Sequence, residues 1–194
     1  MLHRINMLAD KVVHWIEFGR ISYLETMKVM AHLYIVAPGI LFILSFIILL
    51  PFGGIQSYPG RDFGGTVVQE LGTGNLDLPS VLVLGVYFFV AALTEEYLFR
   101  FLPVGLAAII LWRRFPKAVL LISIAASFIF GYIHAPNYLI VMGSTGFILC
   151  VLFLKIWRSQ KSFALALASS TALHFSWNMM IIVVNVIFVA LGLL

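Results

Sequence analysis

Glu95, Glu96, Arg100, His134, His174 and Asn178 have side chains that can move protons and hold a developing negative charge, and each stands inside an otherwise apolar stretch. Charge in such a place carries a cost. A carboxylate or guanidinium near the middle of a bilayer helix costs roughly 2.5–3.5 kcal/mol even on the most lenient scale, so intramembrane charges mark function more often than decoration. On a helix Glu96 and Arg100 lie one turn apart and can pair, whereas Glu95 is rotated by about 100° from Glu96. One arginine therefore compensates one glutamate. The second must be protonated or paired with histidine, which leaves it placed for the work of a general base.

The elements that must position these residues follow from composition. The chain has 194 residues, of which 62% are hydrophobic and 10% charged, against a charged share of about 25% in soluble domains. This excludes a soluble globular domain and predicts an all-α fold, a polytopic transmembrane bundle of about six to eight helices. The formal charge of +4 is not a nucleic-acid signal, because Lys and Arg cluster at the ends of apolar runs and not along one face. Cys150 lies alone within an apolar run and is expected to pack. No compact apolar core of a cleavable signal is visible at the N-terminus, where Arg4, Asp10, Lys11 and Glu17 interrupt the pattern.

Residues 1–30 alternate apolar and polar positions at helical spacing, which predicts an amphipathic interfacial helix, with residues 31–194 forming the transmembrane domain. His3, His14 and His32 have no partner at ligand spacing and stay outside the site. The first span is expected over 32–50, ending at Pro51. Residues 51–79 hold seven glycines, three prolines and four charged residues and predict a long loop. Gly72-Thr73-Gly74 within it lacks the rest of a phosphate-binding loop. The run from Ser80 to Trp112 is too long for one perpendicular span, and Pro103 is expected to kink or divide it. Two further runs, 118–133 and 138–154, are separated from their neighbours by basic turns at Arg113, Arg114 and Lys117 and at Lys155, Arg158 and Lys161. The positive-inside rule places both turns and the N-terminus in the cytoplasm. Ser162 to Leu194 reads equally as one long helix or as a hairpin of two short ones.

Depth brings the polar residues together. Glu95 lies 17 residues before Trp112, His134 17 after Lys117 and His174 13 after Lys161, which puts all three at roughly 20–26 Å from the basic ends of their runs. They are expected to form one buried cluster. Its alternative use is structural, as an ion cluster with histidines bridging helices. Tyr97, Tyr132 and Asn185 are expected to bond locally, Phe130 to pack, and Trp177 either to line a channel or to pack beside the cluster.

Three separated motifs go further. Glu95-Glu96-Tyr97-Leu98-Phe99-Arg100 reads EExxxR, Phe130-Gly131-Tyr132-Ile133-His134 reads FxxxH, and His174-Phe175-Ser176-Trp177-Asn178 reads HxxxN. In this order within apolar helices they make the chain resemble the CAAX-protease and bacteriocin-processing (CPBP) family of intramembrane proteases, which includes the eukaryotic Ras-converting endopeptidase. The resemblance covers residues 80 to 180, with Phe101 where bacterial members often carry glycine. It implies a glutamic endopeptidase: Glu95 as the base that activates water, His134 holding that water, His174 and Asn178 donating to the oxyanion, and Glu96 with Arg100 as a supporting pair.

Two histidines and a glutamate can also bind zinc, but the spacing is not HExxH and Asn178 is a poor zinc ligand, so no metal and no cofactor are expected. The expected partners are a membrane-associated protein or peptide substrate and the lipid bilayer, without nucleic acid, and the expected location is the plasma (inner) membrane of a prokaryote. The competing functions are a non-catalytic membrane scaffold or immunity-type protein of the same fold and a proton-coupled transporter.

Overall fold

The computed structural model describes residues 2–19, 22–49, 78–134 and 139–190. Helix α1 is Leu2–Phe18 and α2 is Tyr23–Leu49; α3 (Leu78–Glu96) continues through a π-helical segment, Tyr97–Gly105, into the short α4 (Leu106–Leu111). Helices α5 (Pro116–His134), α6 (Leu139–Gln160) and α7 (Phe163–Ala190) complete the bundle. With α3, the π segment and α4 taken as one continuous element there are six helices, and no strand, among the described residues. Three of these, Leu82–Leu111, Pro116–His134 and Leu139–Gln160, are long and apolar enough to cross a membrane. The chain is an integral membrane protein.

Pro103 does not divide its run. The ring cannot donate a hydrogen bond and crowds the carbonyl four residues earlier, and the chain answers by widening into a π-helix. At its far end the Leu106 N–H reaches the carbonyls of Phe101 and Pro103. Such segments sit inside longer α-helices, often beside functional residues, and this one begins immediately after Glu96. The stretch from Phe163 onward is one 28-residue helix, not a hairpin. The loop expected over 51–79 lies outside the described residues except for Leu78 and Pro79, which already belong to α3.

Helix α6 is the centre, packed by α1, α2, α5 and α7. Leu149, Cys150, Leu152, Phe153, Leu154 and Ile156 are all at most 1% exposed, so this stretch of the helix is buried around most of its circumference, as an element with neighbours on several sides must be. Cys150 packs as expected, its sulfur 3.6 Å from the Ser127 hydroxyl. Where α5 meets α6 the backbones approach closely: a Cβ on Gly131 would lie 2.7 Å from the Gly143 nitrogen and 2.9 Å from the Leu139 oxygen. Gly131→Ala is therefore expected to cost about 1–3 kcal/mol, the range for overpacking, and to lower the thermal unfolding midpoint. Gly85→Ala, in a helix interior with nothing within 4 Å, is expected to leave it unlowered or to raise it slightly, since glycine there costs about 0.5–1 kcal/mol against alanine.

The pattern over 1–30 is split between α1 and the start of α2, because Ser22 starts a new helix. The Ser22 backbone N–H donates to Glu25 Oε2 at 3.0 Å and the Glu25 N–H donates to Ser22 Oγ at 3.2 Å, a reciprocal capping box. These Ser22 donors hold the Glu25 carboxyl below the usual carboxylate range.

Helix α1 ends against Lys155. The Lys155 Nζ donates to the backbone oxygens of Trp15 at 2.8 Å and Gly19 at 2.6 Å, satisfying carbonyls that a helix C-terminus leaves open. The run 138–154 thus extends beyond its basic boundary to Gln160, and Lys155 is 1% exposed. The lysine serves as an anchor as well as a topology signal.

Candidate active site

The cluster is assembled by four helical elements. The last turn of α3 presents Glu95 and Glu96, the π segment presents Arg100, the end of α5 presents His134, and the middle of α7 presents His174. Glu96 and Arg100 are the closed half. Arg100 Nη1 lies 3.2 Å from Glu96 Oε1, and their side chains are 1% and 0% exposed. The guanidinium also lies over the Phe130 ring, 4.3 Å from its centre, a favourable place for a cation out of water.

Glu95 is the open half. Its side chain keeps 27% exposure although Oε2 itself is buried, so the exposure lies on the rest of the side chain. His134 Nε2 stands 3.1 Å from Oε2 and His174 Nε2 stands 3.5 Å from it. His174 also reaches the other glutamate, donating from Nδ1 to Glu96 Oε1 at 2.9 Å. One imidazole thus bridges both carboxylates. His134 is fixed differently, with Nδ1 2.8 Å from the backbone oxygen of Phe130, one turn earlier on α5.

The hydrogen bonds dictate where protons can be. A carbonyl only accepts, so His134 Nδ1 carries hydrogen, and Nε2 of a neutral ring then faces Glu95 Oε2 as a second acceptor. The contact requires one proton between them. The structure thus brings Glu95, Glu96, Arg100, His134 and His174 into mutual contact. Asn178 stands one turn beyond His174 on α7, half-buried, and none of the cluster's hydrogen bonds among the described residues reaches it.

Phe130 packs, as expected, but what it packs is the site. Its ring centre is 4.0 Å from that of His134 and 5.7 Å from that of His174, besides lying under Arg100. Trp177 meets Tyr34 edge-on at 5.4 Å. Tyr97 stacks on Phe101 and Tyr132 is 65% exposed. Tyr34 was not among the expected residues. It is buried on α2, near enough to feel the charges of Glu96, Arg100 and Glu95. Its only sequence signal is a phenol within an uncharged span, too common a feature to single out.

Among the described residues no group of three or more His, Cys, Asp and Glu side chains has the arrangement of a metal site. Both Nε2 atoms are directed at one glutamate oxygen and occupied by it.

A family model described as type II CAAX prenyl endopeptidase Rce1-like matches residues 77–180, more than half of the chain and all of the cluster just described. The chain belongs to the Rce1-like family. This agrees with the CPBP resemblance carried by the three motifs, and the fold is that of a CAAX-type intramembrane protease. Searches of curated proteins and of solved structures found no match. The matched region begins at the start of α3, so α1 and α2 lie outside it.

Proposed function

We propose that this protein is an intramembrane endopeptidase in which Glu95 activates a water to cleave a peptide bond of a lipid-anchored, membrane-associated substrate. One observation carries the reading. Of two adjacent glutamates, Glu96 is wholly buried against Arg100, whereas Glu95 keeps 27% exposure and is faced by two histidines. A structural ion cluster has no need of the second arrangement.

In this mechanism Glu95 takes a proton from water as the water oxygen bonds to the carbonyl carbon. His134, pinned through Nδ1 to the Phe130 carbonyl, holds the base in place. The carbonyl electrons move onto oxygen, where His174 Nε2 and the Asn178 amide donate to them. Glu96 keeps the His174 ring turned the right way by accepting from Nδ1. When the intermediate collapses, the C–N bond breaks, the proton on Glu95 passes to the leaving amine, and the carboxylate is restored. A basic end shared by α1 and the turns before α5 and α7 supports a cytoplasmic N-terminus, and a prokaryotic inner membrane is the proposed location.

The family description names a CAAX prenyl endopeptidase, so the substrate to test is a peptide ending in a farnesylated CAAX sequence, beside its unprenylated twin. The protein reconstituted in vesicles is expected to release the last three residues from the farnesylated peptide, read by mass spectrometry, with the rate unchanged by a membrane-permeant zinc chelator. Loss of activity to the chelator, restored by Zn²⁺ alone, would replace the glutamate mechanism with a metal one. Cleavage of neither peptide removes the CAAX substrate class.

A further inference from the structure

The charges of α1 are sorted onto two faces. Asp10 and Glu17 are seven residues apart, two turns, and therefore share a face. Both are spent on the bundle: Asp10 pairs with Lys117 at 2.8 Å, and Glu17 accepts from Trp112 Nε1 at 2.8 Å with Arg158 4.0 Å away. Arg4 and Lys11 are also seven residues apart and share a different face. Both are exposed and have no acidic partner among the described residues.

Lys11 stands at a groove of about 400 Å³ between α1, α2 and α6. Its other walls are apolar and include Trp15, Val29, Leu33, Phe147 and Val151. Along α6 the groove is lined from Val151 to Phe147, about 6 Å, and its far end lies about 12 Å from the level of Lys155, the residue that caps α1. One end thus offers an uncompensated cation at the level where α1 and the basic turns meet, and the rest offers hydrocarbon going inward.

We propose that this groove is a binding site for one anionic phospholipid of the bilayer, its phosphate held by Lys11 with Arg4 on the same face, and one acyl chain lying between α2 and α6. An unpaired lysine at the surface attracts an anionic headgroup over a zwitterionic one, because the latter brings its own cation. The apolar walls give the acyl chain a surface shaped by three helices. The site stands apart from the Glu95 cluster, on elements mostly outside the family match.

The test uses the full chain in detergent micelles, offered equal amounts of dioleoyl phosphatidylglycerol and dioleoyl phosphatidylcholine and read by native mass spectrometry. The wild type is expected to retain phosphatidylglycerol about fivefold over phosphatidylcholine, the effect of roughly 1 kcal/mol for one lysine at an anionic lipid. Lys11→Gln is expected to bring the two to parity, and since Lys11 is exposed, circular dichroism should show the helices intact. Leu33→Trp, which fills the groove from an exposed position, is expected to reduce both adducts. Equal retention by the wild type overturns the proposal, as does an unchanged preference in folded Lys11→Gln. Displacement of the bound lipid by farnesylcysteine methyl ester at equal concentration would assign the groove to a prenyl chain instead and overturn it too.

Discussion

Glu95→Gln is expected to lower kcat/KM by about a thousandfold, within the span that a positioned general base contributes, while thermal stability stays close to that of the wild type. The two halves of that expectation come from different contacts. Glutamine keeps the length of the side chain, and its amide can donate to His134 Nε2, an acceptor when the ring is neutral and Nδ1 is bound to the Phe130 carbonyl. Folding therefore loses little. What disappears is the oxygen that takes a proton from water. Glu95→Asp is the complementary probe: it retains the carboxylate but withdraws it by one methylene from His134, and a displacement of about 1 Å at a reacting group costs on the order of a hundredfold. If Glu95→Gln keeps more than a tenth of the wild-type rate on a peptide that the wild type cleaves, the base lies elsewhere and Glu95 is a structural partner of the histidines.

The residues of this site were legible in the sequence because a membrane makes polar side chains conspicuous. Glu95, Glu96, Arg100, His134 and His174 interrupt apolar runs at similar depth, and hydrophobic length fixes depth. The Glu96–Arg100 pair followed from helical spacing alone. What spacing could not supply was the third dimension: that His174 turns one nitrogen to each glutamate, or that Phe130 lies under the arginine and against both histidines. These depend on how α3, α5 and α7 rotate about their axes, which packing decides. Pro103 was legible as an irregularity but not as a π-helix, since a proline only forbids one hydrogen bond and several backbones satisfy that constraint. Lys155 was misread in part for a related reason. A lysine at the end of an apolar run reads as a topology signal, and only the arrival of the α1 C-terminus from far along the chain turns it into a buried cap. Tyr34 stayed invisible because α2 beyond Lys28 bears no Asp, Glu, Lys or Arg to mark which of its faces meets the cluster.

The largest stability effects are expected at the closed half of the site. Arg100→Leu leaves Glu96, wholly buried, with His174 Nδ1 as its one remaining close partner among the described residues, and Glu96→Leu leaves the guanidinium over the Phe130 ring without its carboxylate. Breaking a buried ion pair in this way costs about 3–5 kcal/mol, because the surviving charge stays out of water without compensation. Each single variant is therefore expected to unfold at markedly lower temperature, or to be recovered from membranes in much reduced amount. The double variant should be more stable than either, since replacing both charges with apolar groups removes the desolvation cost along with the attraction. Activity is expected to take the other course and remain lost in the double variant, because His174 has then lost the Glu96 oxygen that fixes its ring. A stable but inactive double variant separates what the pair does for folding from what it does for the histidine. Recovery of activity together with stability would instead make Glu96 and Arg100 purely architectural and leave His174 oriented by Glu95 alone.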